Sequence, residues 1–166
     1  DHLWVEPSAG DGAFLDLLPK NRIGIDLHPG RSDIVRGDFL SWSPPPGQRC
    51  ITVGNPPFGR QSSLVISFFR QAAKFSDRIC FVMPASFAKP WMQRTLPDDF
   101  HLADEMILPT SSFLFDNQVR EVPTVFQVWE RRTERRTFIE LPRSHPDFAF
   151  TTLAEADITF RRIGRL

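Results

Sequence analysis

Leu3-Trp4-Val5-Glu6-Pro7-Ser8-Ala9-Gly10-Asp11-Gly12-Ala13-Phe14 passes from a short apolar run through a glycine-containing turn into a second apolar run. The first run reads as a strand, and Ala13 to Leu18 as a short amphipathic helix that Pro19 and Asn21 punctuate. The alternation continues. Ile23 to Leu27 reads as a strand closed by His28-Pro29-Gly30, Asp33 to Val35 as a shorter extended piece, and Cys50 to Gly54 as a third clear strand. Pro44 to Gly47 is a rigid surface loop. Ser63 to Phe75 carries apolar residues at 64, 65, 68, 69, 72 and 73, a helical period. Ile79 to Met83 is apolar apart from Cys80, which predicts burial on both faces. Strands alternating with helical segments predict an α/β sandwich around a parallel sheet. In the last third, Ala103 to Leu108 and Thr124 to Trp129 read as strands joined by a polar and aromatic loop, 111–121. Such a pair predicts a hairpin, so the sheet is expected to end antiparallel.

The 166 residues suit one domain, with a core over about 3–130 and an extension over 131–166. Hydrophobic residues make up 41%, enough for a real core. Lys plus Arg and Asp plus Glu are each 20, so the formal net charge is zero. No global basic field draws the chain onto nucleic acid, and any basic residues that act there must be local. The only lysines are Lys20, Lys74 and Lys89. The run Arg131 to Arg136 reads as a solvated edge, and Thr137 to Leu141 and Asp157 to Arg161 as weak strands. Cys50 and Cys80 are too few for a disulfide scaffold and fit no zinc spacing, so they are expected to be buried thiols, and no metal is expected. No apolar run approaches the roughly 20 residues that span a bilayer, and no signal peptide is visible. The expectation is a reduced, cytoplasmic protein without a membrane partner. Both ends look cut, so terminal elements beyond them are expected.

Three features point to a ligand. Gly10 and Gly12 sit where the first strand turns, and glycines there let backbone N–H groups approach a ligand closely. The same glycines suit any tight turn. Asp26 ends the next strand, where an acid accepts two hydrogen bonds from a ribose diol. It also suits a turn beside His28-Pro29. Asp38, in Gly37-Asp38-Phe39-Leu40, could accept from an adenine amino group with Phe39 alongside the ring. It also suits a helix N-cap. In this order and spacing the three favour an adenosine-containing ligand.

Glu6 to Phe14, Gly24-Ile25-Asp26, Gly37-Asp38-Phe39-Leu40 and Asn55-Pro56-Pro57-Phe58 together resemble the successive motifs of class I S-adenosylmethionine-dependent methyltransferases. The closest branch carries an Asn-Pro-Pro-Phe or Asn-Pro-Pro-Tyr loop and is typified by adenine-N6 methyltransferases. The resemblance implies a Rossmann-like α/β sandwich, a mostly parallel sheet with a C-terminal antiparallel hairpin. It implies S-adenosylmethionine as cofactor, held by Glu6, Pro7, Ser8, Gly10, Gly12, Phe14, Asp26, Leu27, Asp38, Phe39 and Asn55. It implies Asn55, Pro56, Pro57 and Phe58 as the catalytic loop. An adenine amine is a poor nucleophile because its lone pair is delocalised into the ring. The Asn55 side-chain oxygen and the Pro56 carbonyl would accept its two N–H groups and free that pair. The two prolines hold the acceptors in place, and Phe58 offers a face for a base taken out of its helix.

Substrate residues are less sharply marked. Lys89, Trp91, Arg94, Phe113 and Arg120 mix basic and aromatic groups as a single-stranded nucleic-acid groove does, and as ordinary loops also do. Phe58, Lys89, Trp91, Phe113 and Arg120 are the expected substrate contacts, with DNA or RNA as substrate. Against the family pattern, these residues are expected to lack the N-terminal helix that completes the cofactor pocket and a separate target-recognition domain, so sequence-specific DNA binding by them alone is not expected. Structured RNA, a substrate delivered by a protein partner that supplies target recognition, and a poorly specific DNA activity are the expectations that follow. Two other readings stay open. One is methylation of a protein glutamine amide, whose NH₂ has the same lone-pair problem. The other is a non-catalytic cofactor-binding or interaction module.

Overall fold

The computed structural model describes residues 2–110, 113–115, 118–138 and 146–159, with only the backbone for 113–115 and 118–120. The chain forms strands β1 (Leu3–Pro7), β2 (Arg22–Asp26), β3 (Val35–Arg36) and β4 (Cys50–Gly54), then helix α1 (Ser63–Ala72) and β5 (Ser76–Pro84). Helix α2 (Pro90–Gln93), β6 (Phe100–Ile107), β7 (Phe113–Phe115), β8 (Gln118–Arg120) and β9 (Thr124–Arg131) follow. Seven strands make one sheet in the order β3-β2-β1-β4-β5-β9-β6, and β7 and β8 pair as a separate ribbon. β1 to β5 are mutually parallel. β9 inserts between β5 and β6 and runs antiparallel to both. The expected antiparallel end is therefore present. β6 runs in the same direction as β5, so the ribbon that follows it leaves from the carboxyl edge of the sheet.

The helical period of α1 places Val65, Phe68, Phe69 and Ala72 on one buried face. That face packs on Val5, Ile25, Ile79, Phe81, Met83, Val125 and Trp129 of the sheet. Phe69 is the centre, with its ring edge-on to Phe81, Phe100 and Trp129 at centroid distances of 6.2, 5.5 and 5.7 Å. Each such side chain contributes roughly 1.5–3 kcal/mol by leaving water. β5 is buried on both faces from Ile79 to Met83, as its unbroken apolar run requires. A smaller cluster, Ala9, Leu15 and Ile34, covers the opposite face at Gly24.

Three expectations change. The helix over Ala13 to Leu18 is only a 3₁₀ turn, Leu15–Leu17. Six residues between Gly12 (φ +81°) and Pro19 are too few to repay helix nucleation. Arg131 to Arg136 is not merely solvated. Arg131 pairs with Asp99 and lies 4.6 Å above the Phe100 ring. Arg136 donates to the Gln93, Leu96 and Pro97 carbonyls at 3.0, 3.2 and 3.1 Å and covers Trp129 at 5.0 Å. A planar guanidinium can serve carbonyls and a ring at once, so these arginines staple the end of β9 to the loop before β6. In the tail, Thr137–Phe138 and Asp157–Thr159 are not strands, and 139–141 and 160–161 lie outside the described residues.

Cys50 and Cys80 are both buried, at 0% and 8% exposure, and burial pushes each thiol up to about 11. Neither forms thiolate near neutral pH. The native chain should therefore react with a thiol reagent at pH 8 no faster than it unfolds, with full labelling in denaturant. Rapid native labelling of either cysteine would refute the burial of these strands.

Candidate functional site

The carboxyl ends of β1, β2, β3 and β4 lie side by side, and a cleft of about 230 Å³ opens over them. Ligands bind along this edge in open α/β sheets because the loops leave the strands there. Ser8, Asp26, Leu27, Asp38, Phe39 and Pro57 all line the cleft. Four segments far apart in the chain thus meet: the glycine turn, the acid after β2, the acid after β3 and the Asn-Pro-Pro-Phe loop. A larger depression, about 380 Å³, lies at the opposite edge between His2, Arg49, Asp77, Arg78 and Glu130. It holds none of the expected site residues and is closed by ion pairs, His2–Asp77 at 2.9 Å, Arg49–Asp77 at 2.7 Å and Arg78–Glu130 at 2.5 Å.

Asp26 does two things at once. Its Oδ2 accepts from the Gly10 N–H at 2.8 Å, and its Oδ1 accepts from the His28 N–H at 2.7 Å. The carboxylate thereby fastens the glycine turn to the turn after β2. Each oxygen keeps one lone pair, so two acceptors remain at the cleft wall. The Asp38 side chain accepts from the Leu40 N–H at 2.9 Å and caps the 3₁₀ turn Phe39–Ser41. It is an N-cap and a cleft residue together. Phe39 is only 2% exposed, its ring stacked on Phe68 at 5.3 Å, so it forms the floor of the cleft from within the core. Leu27, 58% exposed, stands at the rim.

The remaining cofactor candidates sit beneath or beside the cleft. Glu6 is 2% exposed, and the nearby Leu15 and Phe14 N–H groups offset only part of the cost of burying its carboxyl. Its Oε2 has no hydrogen-bond partner among the described residues. Pro7 and Gly12 are buried, and Phe14 is half-buried. Of the Asn55 loop, Asn55 and Pro57 are exposed, Pro56 is buried and Phe58 is half-buried against the core. The chain then turns sharply at Gly59 (φ +68°), where a Cβ would come within 2.7 Å of Leu64 Cγ. That turn lets the Phe58 carbonyl accept from Leu64 N–H at 3.2 Å, which docks the loop on the first turn of α1. Gln61 (φ +52°) and Ser62 (φ +63°) follow in the left-handed region, where non-glycine residues are strained.

Leu40, Leu64 and Phe68 also line the cleft, and sequence reasoning did not mark them as site residues. The signal for two of them was the i, i+4 pair on the helix directly after the Asn55 loop. On the substrate side, Lys89 and the 57% exposed Trp91 follow β5 at the same carboxyl edge. The backbone of Phe113 pairs with that of Arg120 in the β7–β8 ribbon. Among the described residues no group of His, Cys, Asp and Glu could hold a metal, and no helix is long and apolar enough to cross a membrane.

No protein-family model and no curated protein matches the chain. Solved structures do. The 23S rRNA methyltransferase ErmE superposes with a TM-score of 0.58 at 19% identity, over 81% of this chain and 63% of that one. A provisionally designated RNA methyltransferase from Pyrococcus horikoshii gives 0.58 at 18% identity, over 80% and 74%. The M protein of the type I restriction enzyme EcoKI gives 0.57 at 18%, over 80% of this chain and 40% of its own length. At such identities the likeness speaks for the fold. The chain has the Rossmann-like fold of these methyltransferases and spans under two-thirds of ErmE and of the M protein.

Burial raises the Glu6 carboxyl from 4.5 to about 7. Between those values the folded chain holds a proton that the unfolded chain has lost, so stability falls as pH rises through this window. The full shift corresponds to about 3 kcal/mol. Glu6→Gln should flatten the dependence between pH 4.5 and 7.5 and stabilise the chain at pH 8, read from urea midpoints. Parallel curves for the two proteins would refute this role of Glu6.

Proposed function

We propose that the chain is an S-adenosylmethionine-dependent N-methyltransferase that acts on an exocyclic amino group, N6 of adenine in DNA or RNA. The observation that supports it is the meeting of Ser8, Asp26, Asp38 and Pro57 in one cleft at the carboxyl edge of the sheet. The residues fit the cofactor's nucleoside half. Asp26 offers two lone pairs for a ribose diol, and Leu27, Phe39, Leu40 and Phe68 form an apolar slot beside the Asp38 carboxylate. The volume, about 230 Å³, is below the roughly 300–1,000 Å³ of whole-ligand pockets, which suits part of a ligand. When bound, S-adenosylmethionine supplies an electrophilic methyl group on sulfur.

The chain's own residues supply the rest. Asn55 and the Pro56 carbonyl accept the two N–H groups of the target amine and free its lone pair. Pro56 and Pro57 restrict the backbone that carries these acceptors, and the docking of Phe58 on α1 holds the loop end, so little reorganisation is needed. No strong base is required, because the product ammonium loses its proton readily. In this reading Lys89 and Trp91 hold the strand beside the target base by charge and stacking. That ErmE is a 23S rRNA methyltransferase, and that the M protein belongs to a type I restriction enzyme, supports a nucleic-acid acceptor.

Two outcomes test this reading. Asn55→Ala should reduce methyl transfer from labelled S-adenosylmethionine by about a hundredfold to a thousandfold, with a much smaller effect on cofactor affinity. Assayed side by side on DNA, RNA and protein, label entering protein alone would exclude the nucleic-acid acceptor. Asp26→Ala should weaken S-adenosylmethionine binding by about a hundredfold in calorimetry, since it removes the ribose acceptors and the clasp on Gly10 together. Unchanged affinity would remove Asp26 from the site.

A further inference from the structure

The glycine turn Ser8–Phe14 continues into one 3₁₀ turn, not a helix, so no ladder of backbone bonds holds its far side. Something else must keep its shape. Arg31, in the loop between β2 and β3, reaches across to it. Its Nη1 donates to Asp16 Oδ2 at 2.7 Å and to the Asp11 carbonyl at 3.4 Å. Its Nε and Nη2 donate to Asp33 Oδ1 and Oδ2 at 3.0 and 2.7 Å, a two-point grip on its own loop. The guanidinium lies directly over Gly12, where a Cβ would come within 2.7 Å of Nη1. Beside it, Gly30 N–H donates to the Gly10 carbonyl at 3.0 Å. The Arg31 side chain is 32% exposed, so it is partly desolvated between the two loops.

We propose that Arg31 is a positioning residue that latches the glycine turn to the β2–β3 loop and so pre-forms the wall of the cofactor cleft. The proposal rests on the reading of that cleft as a cofactor site. Asp26 fastens one end of the turn at Gly10, and Arg31 fastens the other at Asp11 and Asp16. Between the two fastenings the turn keeps Ser8 at the cleft without help from a helix. A single exposed ion pair contributes little. Here one guanidinium joins three partners on two loops, and its planar fork sets their relative orientation, which an ammonium cannot do. Without the latch, part of the binding energy would be spent on ordering the turn. Arg31 does not line the cleft, so its loss should affect cofactor affinity and not the chemical step.

The test compares wild type, Arg31→Gln and Arg31→Lys. S-adenosylmethionine affinity is read by calorimetry, turnover at saturating cofactor by methyl transfer, and loop order by hydrogen exchange of cofactor-free protein. Arg31→Gln should bind S-adenosylmethionine about tenfold more weakly with turnover unchanged at saturation. Arg31→Lys, which keeps the charge but loses the fork, should be only partly restored. Amides of residues 9–16 should exchange faster in Arg31→Gln, while those of β4 and β5 stay protected. Wild-type affinity in Arg31→Gln would overturn the latch. If that variant loses protection throughout the sheet, Asp33→Asn decides: weaker cofactor binding in a folded chain supports the latch, and unchanged binding overturns it. If the wild type binds no S-adenosylmethionine, the reading of the cleft fails. Exchange alone then decides, and equal protection of 9–16 in wild type and Arg31→Gln overturns the latch.

Discussion

The Asp26 carboxylate is the constraint on which the rest of the site depends. It ends β2 and takes one backbone N–H from each side, Gly10 from the turn after β1 and His28 from its own turn. Bonds from backbone N–H to an ionised acceptor are stronger than those between neutral groups. They bring the ends of two neighbouring parallel strands to a common geometry. The β3 and β4 ends then meet the same cleft because their strands extend the sheet on either side of β1 and β2. One side chain thus sets the loops and still has two lone pairs at the cleft wall.

The sheet reaches this geometry with little helix. α1 is the one helix of length among the described residues, and its face of Val65, Phe68, Phe69 and Ala72 forms most of the core on one side. On the other side, among the described residues, a small cluster of Ala9, Leu15 and Ile34 packs with a 3₁₀ turn in place of a helix after β1. The economy has a consequence. Loops that helices would otherwise order are held by side-chain bonds, Arg31 at the glycine turn and Arg136 at the loop before β6. The formally neutral chain uses its arginines largely as internal connectors. The absence of a global basic field follows from the charge balance itself, 20 acidic against 20 basic residues.

Much of the candidate site is legible in the amino-acid sequence. Gly10, Asp26, Asp38 and Pro57 are marked by their places after successive strands, and strand ends are readable from apolar runs. Glu6 shows where such reading stops. Its residue type and place suit a ligand contact, and only the structure shows that its carboxyl is buried near the Phe14 and Leu15 N–H groups. Leu64 and Phe68 show the reverse. Their helical spacing reads as core, and they are core, but the upper part of that face also lines the cleft. A residue's period reports which face it occupies, not what the face meets.

The amino-acid sequence by itself determined the strand order along the chain, the double burial of β5, the antiparallel end of the sheet and the sequence positions of the site motifs. These follow from local alternation, turn residues and spacing, which act over a few residues. Only the tertiary structure decided that β9 lies between β5 and β6, that Ala13 to Leu18 yields one 3₁₀ turn, and that Arg31 and Arg136 find partners 15 and 40 residues away. The reason is physical. Long-range partners are chosen by which groups packing leaves unsatisfied, and that is known only once the sheet has closed on its helix. The glycine turn and Asp26 could be named from residue type alone, but their union into one cleft wall is a property of the fold.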